Sequence, residues 1–338
     1  MAQKTSGVRR LRKIQFSPET TAGTAVSCDD MWRGTAILTD DRTIETPEED
    51  DGWMAGGDRQ YTAMKRASLS LEERDATFEE LPWILGGGIN WQSTGAGDGT
   101  VGKYSYTYPF GTSGVKTAKT FSFEAGDNVL VETFDYGLVS EFTLAAAYGE
   151  SVRMSGTVIG REVTSAGAFY STSVQTPTVE TIYANKGQFY IDAKGGTAGT
   201  TEAPATLRDW SLAVTTGFTP VPTQDGNIAW AHHKQVGYEA TLSLTMELND
   251  TAGTEKIAWR DGTPRIIQIK TEGAALTSGG TSYTNKSLII NAVGVYETFD
   301  PMSDADGNDT VSATFRLRHD ASAGDSEIIV VNNEATYS

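Results

Sequence analysis

The residues whose spacing most suggests chemistry lie in one glycine-rich stretch, Gly97-Asp98-Gly99-Thr100-Val101-Gly102-Lys103. It fits a G-x-G-x-x-G pattern and the first seven positions of a P-loop, motifs in which backbone N–H groups opening a helix cradle a phosphate. Tyr104 stands where a P-loop places the Ser or Thr that holds magnesium, and the following residues alternate as a strand does. Without the strand-loop-helix context the stretch reads as the loop of a hairpin, and no cofactor is expected.

Carboxylates gather at Asp304, Asp306 and Asp309 around Gly307, as a hard cation prefers. An EF-hand counted from Asp304 needs Gly at its sixth position and Glu at its twelfth, where this chain has Asp309 and Phe315. A solvated Asp/Gly turn is the expectation. His232 and His233 are adjacent and His319 is distant, with no Cys or His partners at zinc spacing, so no metal site is expected. Cys28 is the single cysteine; a lone thiol suits a reducing cytoplasm, and a buried or idle thiol is expected, not a nucleophile. No G-x-S-x-G elbow occurs. Seven Trp and thirteen Tyr could form sugar-binding platforms, but most fall in alternating strands, where an aromatic face is core or interface. No catalytic residue emerges, and the chain is not expected to be an enzyme.

The elements that carry these residues are mostly strands. In 338 residues, 38% hydrophobic content suffices for a buried core, in two typical domains or one elaborated β domain. Abundant Thr, Gly and Ser, with Tyr and Phe well represented, predict an all-β or β-rich fold with one or two short helices. Tyr104, Tyr106 and Tyr108 share one face, as do Phe121 and Phe123, and Val152, Met154 and Val158 oppose Arg153, Ser155 and Thr157. The clearest alternation sets Tyr238, Ala240, Leu242, Leu244, Met246 and Leu248 against Glu239, Thr241, Ser243, Thr245 and Glu247. Val311, Ala313, Phe315 and Leu317 repeat the pattern, and RIIQIK, KSLIINAV and EIIVVN are further strands. Asp-Gly pairs at Asp51, Asp98, Asp225, Asp261 and Asp306 mark turns. One short helix is predicted after Asp75 or Thr77, packing Phe78, Leu81 and Trp83 and stopped by Gly86, Gly87 and Gly88; a second covers DTAGTEKIAWR and ends at Asp261-Gly262.

Net charge is -17, from 27 Lys+Arg against 44 Asp+Glu, so the chain should repel nucleic acid and suits a surface that DNA passes without sticking. The N-terminus has a basic cluster without an apolar run, and no window approaches a membrane span; a soluble, unprocessed chain is expected. Residues 1–30 are predicted as an extended arm and 31–338 as the β domain. Arg9, Arg10, Arg12 and Lys13 in the arm contrast with an acidic block of Glu45, Glu48, Glu49, Asp50 and Asp51; the plain expectation is two solvated charge runs, and the sharper one is that one subunit's arm meets another's acidic loop. Glu141-Phe142-Thr143-Leu144-Ala145 before Gly149 has the spacing of Asp209-Trp210-Ser211-Leu212-Ala213 before Gly217, as two related halves meeting near 165–205 would produce.

Taken with GTAVSCDDMWRGTAIL, the run TFSFEAGDNVLVETFDYGLVSEFTLAAAYGESVRMSGTVIGRE, then LRDWSLAVTTGF, YEATLSLTMEL and TVSATFRLRHDASAGDSEIIVVNN, the chain resembles the major tail tube proteins of long-tailed, siphovirus-like bacteriophages. The resemblance implies a β-sandwich or barrel-like fold with a short flanking helix, assembled into homohexameric rings that stack into a tube. It further implies a virion location after synthesis in the host cytoplasm, and an acidic lumen that conducts DNA during ejection without specific binding. Tape-measure, tail-tip and head-connector proteins would be partners, and no membrane would be. Arms and loops bridge subunits in that family, which puts Arg9, Arg10, Arg12, Lys13, Glu48, Glu49, Asp50 and Asp51 forward as inter-subunit contacts. The alternatives are a β-rich binding module, such as a capsid decoration protein or carbohydrate-binding adhesin, and a hydrolase using carboxylates from distant strands.

Overall fold

The computed structural model describes residues 6–50, 52–55, 59–98, 102–111, 114–172, 174–276, 281–305, 307–320 and 324–337. The fold is all-β, with two short α-helices among the described residues. A 3-10 turn, Arg9–Leu11, leads into β1 (Lys13–Pro18), β2 (Asp30–Trp32), β3 (Ala36–Glu45), β4 (Tyr61–Asp75), α1 (Leu81–Gly88), β5 (Ala96–Gly97), β6 (Tyr104–Pro109), β7 (Phe121–Gly126), β8 (Val131–Ala147), β9 (Arg153–Gly160) and β10 (Thr164–Ser165). A second 3-10 turn, Ala184–Lys186, leads into β11 (Gly187–Ala193), β12 (Leu207–Thr215), β13 (Phe218–Val221), β14 (His232–Gln235), β15 (Glu239–Glu247), α2 (Asp250–Arg260), β16 (Arg265–Ala275), β17 (Asn285–Phe299), β18 (Ser303–Ala305), β19 (Asn308–Leu317) and β20 (Glu327–Asn332).

The pairing falls into two copies of one plan. In the first, β3 pairs with β4, β4 with β9 and β9 with β8. In the second, β12 pairs with β15, β15 with β19 and β19 with β17, in the same chain order. The amino-terminal half of β8 pairs with β7, and β7 with β1; likewise β17 pairs with β16, and β16 with β11. Even the short flanking strands correspond, β10 beside β8 and β20 beside β17. A helix follows β4 and another follows β15. The copies then join: β8 pairs with β12, Leu144 opposite Leu212, giving one antiparallel sheet in the order β3-β4-β9-β8-β12-β15-β19-β17.

Matching registers identify matching residues. Leu69 opposite Val158 corresponds to Leu242 opposite Phe315, which aligns Ala67-Ser68-Leu69-Ser70-Leu71 with Ala240-Thr241-Leu242-Ser243-Leu244. Both β8 and β17 slip register by one residue against their partners, after Val139 and after Tyr296, which aligns Gly137 with Gly294 and Phe142 with Phe299. At these glycines the long strand changes neighbour, β8 from β7 to β9 and β17 from β16 to β19, and a Cβ at Gly137 would stand 2.8 Å from the Phe121 carbonyl oxygen. At Gly294 it would stand 2.0 Å from the Arg316 oxygen, so neither site has room for a side chain. The similar segments 141–145 and 209–213 are therefore not counterparts; they are neighbours, paired across the junction of the two copies.

Alternation is realised as expected in β15, where Ala240, Leu242, Leu244 and Met246 are buried, and in β19 at Val311, Ala313, Phe315 and Leu317. In β7, Ser122 and Glu124 are buried along with Phe121 and Phe123, because β7 carries packing on both faces. Two expectations change. The segment predicted as an arm is pinned from Lys13 onward: β1 lies between β2 and β7, with Ile14 and Phe16 buried among Trp32, Trp83, Phe121 and Phe123. Both faces of the strand are buried, Gln15 and Ser17 as well as Ile14 and Phe16, as expected of a strand paired on both edges. The glycines at 86–88 do not stop α1 but form its last turn, where a Cβ on Gly87 would stand 2.7 Å from the Phe121 ring and one on Gly88 2.9 Å from Phe142. Their lack of side chains lets the helix sit against aromatic rings. Thr77 does not cap α1, whose first residue is Leu81, but its Oγ1 accepts the Glu80 N–H at 3.2 Å. α2 covers the predicted residues, with Asn249 Oδ1 accepting the Ala252 N–H at 3.0 Å.

Glu19 is the most committed buried charge of the first copy. It is 2% exposed and accepts four hydrogen bonds, from Gly23 N (2.7 Å), Thr120 Oγ1 (2.7 Å), Ser122 Oγ (3.0 Å) and Tyr136 N (2.7 Å). They tie the chain after β1 to β7 and to Tyr136, whose φ of 56° marks the bend in β8. Every partner is a donor, so an amide in place of the carboxylate sets NH2 against N–H and O–H. Glu19→Gln is expected to lower stability by about 2–4 kcal/mol, read as a shift in the urea midpoint at unchanged slope.

Candidate assembly surface

The stretches that suggested chemistry are structural. β5 pairs with β6 on either side of the glycine-rich segment, and Asp98 N donates to Lys103 O at 3.1 Å, so a hairpin stands where a P-loop needs a helix; residues 99–101 lie outside the described residues. Asp98 instead accepts N–H groups from Thr281, Ser282 and Tyr283, which hold its carboxyl below the usual range. Asp304 accepts the Gly307 N–H at 2.8 Å in the β18–β19 turn, and Asp306 lies outside the described residues. His233 approaches the Tyr136 hydroxyl at 3.2 Å, and burial pushes its imidazole below the usual value. The Cys28 thiol is 1% exposed, and burial, reinforced by Glu124, Asp29 and Asp30, pushes it far above the usual thiol range. Among the described residues no group of three or more His, Cys, Asp or Glu side chains is placed to hold a metal ion. Most tryptophans are spent on packing: Trp32, Trp83, Trp210 and Trp230 are buried and Trp91 and Trp259 half-buried, while Trp53 is exposed.

What the fold does display is a junction between its two copies, and a pair of ends that match it. At the junction seven residue pairs join β8 to β12, from Glu141 opposite Thr215 to Ala147 opposite Asp209. Phe142, Leu144, Leu212 and Val214 are all buried there. A groove of about 290 Å³ beside it is walled by Ala146 and Tyr148 of the first copy and by Ala184, Asn185, Gly187 and Trp210 of the second. The β13–β14 hairpin, inserted between β12 and β15, reaches back over the first copy. Its Trp230 packs on Tyr136 with ring centroids 4.3 Å apart and donates from Nε1 to the Gly160 oxygen at 3.0 Å.

At one end of the eight-stranded sheet lies β3, paired among the described residues only with β4 and exposed along most of its length, Ile37 and Ile44 included. Its counterpart β12 buries Trp210, Leu212 and Val214, because β8 covers its second edge. Beside β3 is a groove of about 560 Å³ lined by Arg9, Arg12 and Lys13, by 34–38, and by Glu72, Asp127 and Glu132. It occupies the place in the first copy that the smaller groove has in the second, next to a 3-10 turn and the strand that follows it. At the other end β17 continues into β18, with Thr298 and Met302 exposed. β3 and β4 are joined by 46–60, the counterpart of the insertion that carries Trp230, and there Met54 and Trp53 are exposed.

Of the proposed contact residues, Arg9 and Arg10 are exposed in the first 3-10 turn, Arg12 follows it, and Lys13 opens β1 with its Nζ 4.2 Å from the Phe169 ring. Glu49 pairs with Arg59 at 2.7 Å, Glu48 and Asp50 are exposed, and Asp51 lies outside the described residues. Among the described residues no ion pair joins the basic set to the acidic one. The sheet ends 36–45 and 298–305 escaped the sequence reading. The signal that finds them is the doubled A-[ST]-L-S-L of 67–71 and 240–244, with the doubled G-x-x-x-x-F of 137–142 and 294–299.

No family model matches the chain, and no curated protein is similar to it. No described helix is long and apolar enough to cross a membrane. The clasp between the copies is open to direct test: Trp230→Ala removes a buried indole and its hydrogen bond, with an expected cost of about 3–4 kcal/mol. Hydrogen exchange should then quicken in 136–139 and 218–235 before it does in β15 and β19.

Proposed function

We propose that the chain is a structural subunit of a bacteriophage tail tube, which self-assembles into stacked rings whose lumen conducts DNA during ejection. The observation that carries this reading is the eight-stranded sheet made of two like halves, with a partner strand wanting at each end. A sheet that repeats itself across an internal junction repeats equally well across an external one, and curvature then closes it into a barrel. The net charge of -17 suits a wall that DNA slides past. Acidic residues on β3 and its loop, Asp40, Asp41, Glu45, Glu48 and Glu49, add charge at one end of the sheet.

The family resemblance implies homohexameric rings, six-fold around the lumen; the doubled strand set changes the count proposed for this chain to one strand set per six-fold position. This chain carries two sets, so three chains fill such a ring. The tape-measure protein within the tube and the tip and head-connector proteins at its ends are the proposed partners. Negative-stain microscopy of purified protein is expected to show stacked rings of uniform diameter, and the mass per ring to equal three chains. Monodisperse monomers at high concentration would overturn the reading. Removal of residues 2–12, which ends just before β1, should leave the circular dichroism spectrum and melting unchanged while cutting ring formation about tenfold, the scale of a lost interface contact.

A further inference from the structure

The internal junction sets out in full how one copy of the plan follows another. Its parts are the far edge of β8, the near edge of β12, a groove beside a 3-10 turn, and an inserted loop that reaches back. Each part has a counterpart at the two ends of the chain. Resting on the assembly reading above, we propose that successive chains join by pairing the β17–β18 edge of one with the β3 edge of the next, in the register by which β8 pairs with β12.

The register follows residue by residue. Leu38 corresponds to Leu212, because each faces its aligned leucine, Leu69 or Leu242. Phe142 corresponds to Phe299, and the correspondence continues through Asp300, whose N–H reaches Ser312 O at 2.8 Å. Carrying Thr143 opposite Ala213 over to the chain ends sets Asp300 of one chain opposite Thr39 of the next. One step earlier Phe299 faces Asp40, and three steps earlier Glu297, which pairs with Arg316 and accepts from Trp259 Nε1 within its own chain, faces Arg42, which pairs with Asp40 within its own.

Three features fit this contact. Pro301 takes the place of Leu144; a proline on a free edge strand is a common guard against indiscriminate pairing, and here it removes one donor from the ladder. Beyond Pro301 the strand carries one extra residue, Met302, and resumes at Ser303 opposite Thr310, as Ala145 is opposite Arg153. Asp304 therefore corresponds to Ala146, the residue that walls the inner groove. Ala146 lines a groove that also holds Glu202 and Arg208, and Asp304 arrives at a groove with Arg9, Arg12 and Lys13 in its wall, alongside Glu72, Asp127 and Glu132. Finally, Trp230 of the inserted hairpin bonds to Gly160, whose counterpart is Leu317. The chain that leaves β3 at Glu45 is thereby directed to Leu317 of the neighbouring chain. The register itself carries the pairing, because unlike edges matched to β8 and β12 meet head to tail, whereas a two-fold contact would set like edges together.

The test is covalent. Thr39 and Asp300 are both exposed, and the single native thiol, Cys28, is 1% exposed. Under mild oxidation the Thr39→Cys/Asp300→Cys double variant should give a ladder of covalent multimers on a non-reducing gel. Each single variant alone should give no ladder, and an equal mixture of the two single variants should stop at dimers, the mark of a head-to-tail contact. Arg42→Cys/Glu297→Cys repeats the test further along the same edges. Rings seen by microscopy with no ladder from either pair would overturn this contact and leave the tube reading standing. A ladder without stacked rings would support the contact and overturn the tube. Dimers from Thr39→Cys alone would show like edges meeting, and would overturn the proposal.

Discussion

A β-strand with an open edge leaves every second backbone N–H and C=O without a partner, and the whole architecture can be derived from how this chain disposes of its edges. The strand set of the first copy ends on β8, and the set of the second begins with β12. Their pairing converts two open edges into a buried seam of Phe142, Leu144, Leu212 and Val214. The same solution cannot be applied within the chain to β3 or to the end of β17. Those two edges are left on the surface with aligned residues, one bearing exposed Ile37 and the other guarded by Pro301.

Around the seam, the two copies have diverged where each meets something different. The insertion between β12 and β15 is a hairpin with Trp230 in its connecting loop, packed on Tyr136 within the chain. The corresponding 46–60 loop is acidic and displays Trp53 and Met54. α1 uses three glycines to settle against Phe121 and Phe142, whereas α2 is polar, capped by Asn249, and lays Trp259 near Phe299 at 6.0 Å. The first copy also takes β5 and β6 as an extra hairpin, against which β20 closes. That return of the C-terminal strand ties the end of the second copy into the first, so both share one continuous core.

Buried charge follows the same economy. Glu19 gathers four donors at the bend of β8, Lys286 bridges Glu79 and Glu180, and Arg74 meets Glu80 at 2.8 Å beneath the cation–π contact of Arg74 with Trp32. Each sits where a loop or helix must be held to a sheet that offers no further ladder. Such groups hold geometry: Glu19 and Lys286 are bonded to backbone and neighbouring side chains, while Arg74 keeps a buried Nε without a hydrogen-bond partner beside its contact to Glu80.

The sequence by itself determined the strands, because a side chain's face in a strand follows from its parity alone. Tyr106 and Tyr108, the β15 face and the β19 face could be read directly, and so could α2 with its asparagine cap and closing Asp-Gly. Parity says nothing of which strand lies beside which. For that reason the basic N-terminal segment reads as an arm although Ile14 and Phe16 belong to the core, and two similar strands read equally as related halves or as chance likeness when they are paired neighbours. The true duplication was present in the sequence as A-[ST]-L-S-L and G-x-x-x-x-F. It becomes legible only through the register, since short apolar-hydroxyl patterns recur in any β protein and only hydrogen-bond pairing shows that these occupy equivalent places. Tertiary structure alone decided where the edges fall, and an edge is a property of neighbours, which no single strand encodes.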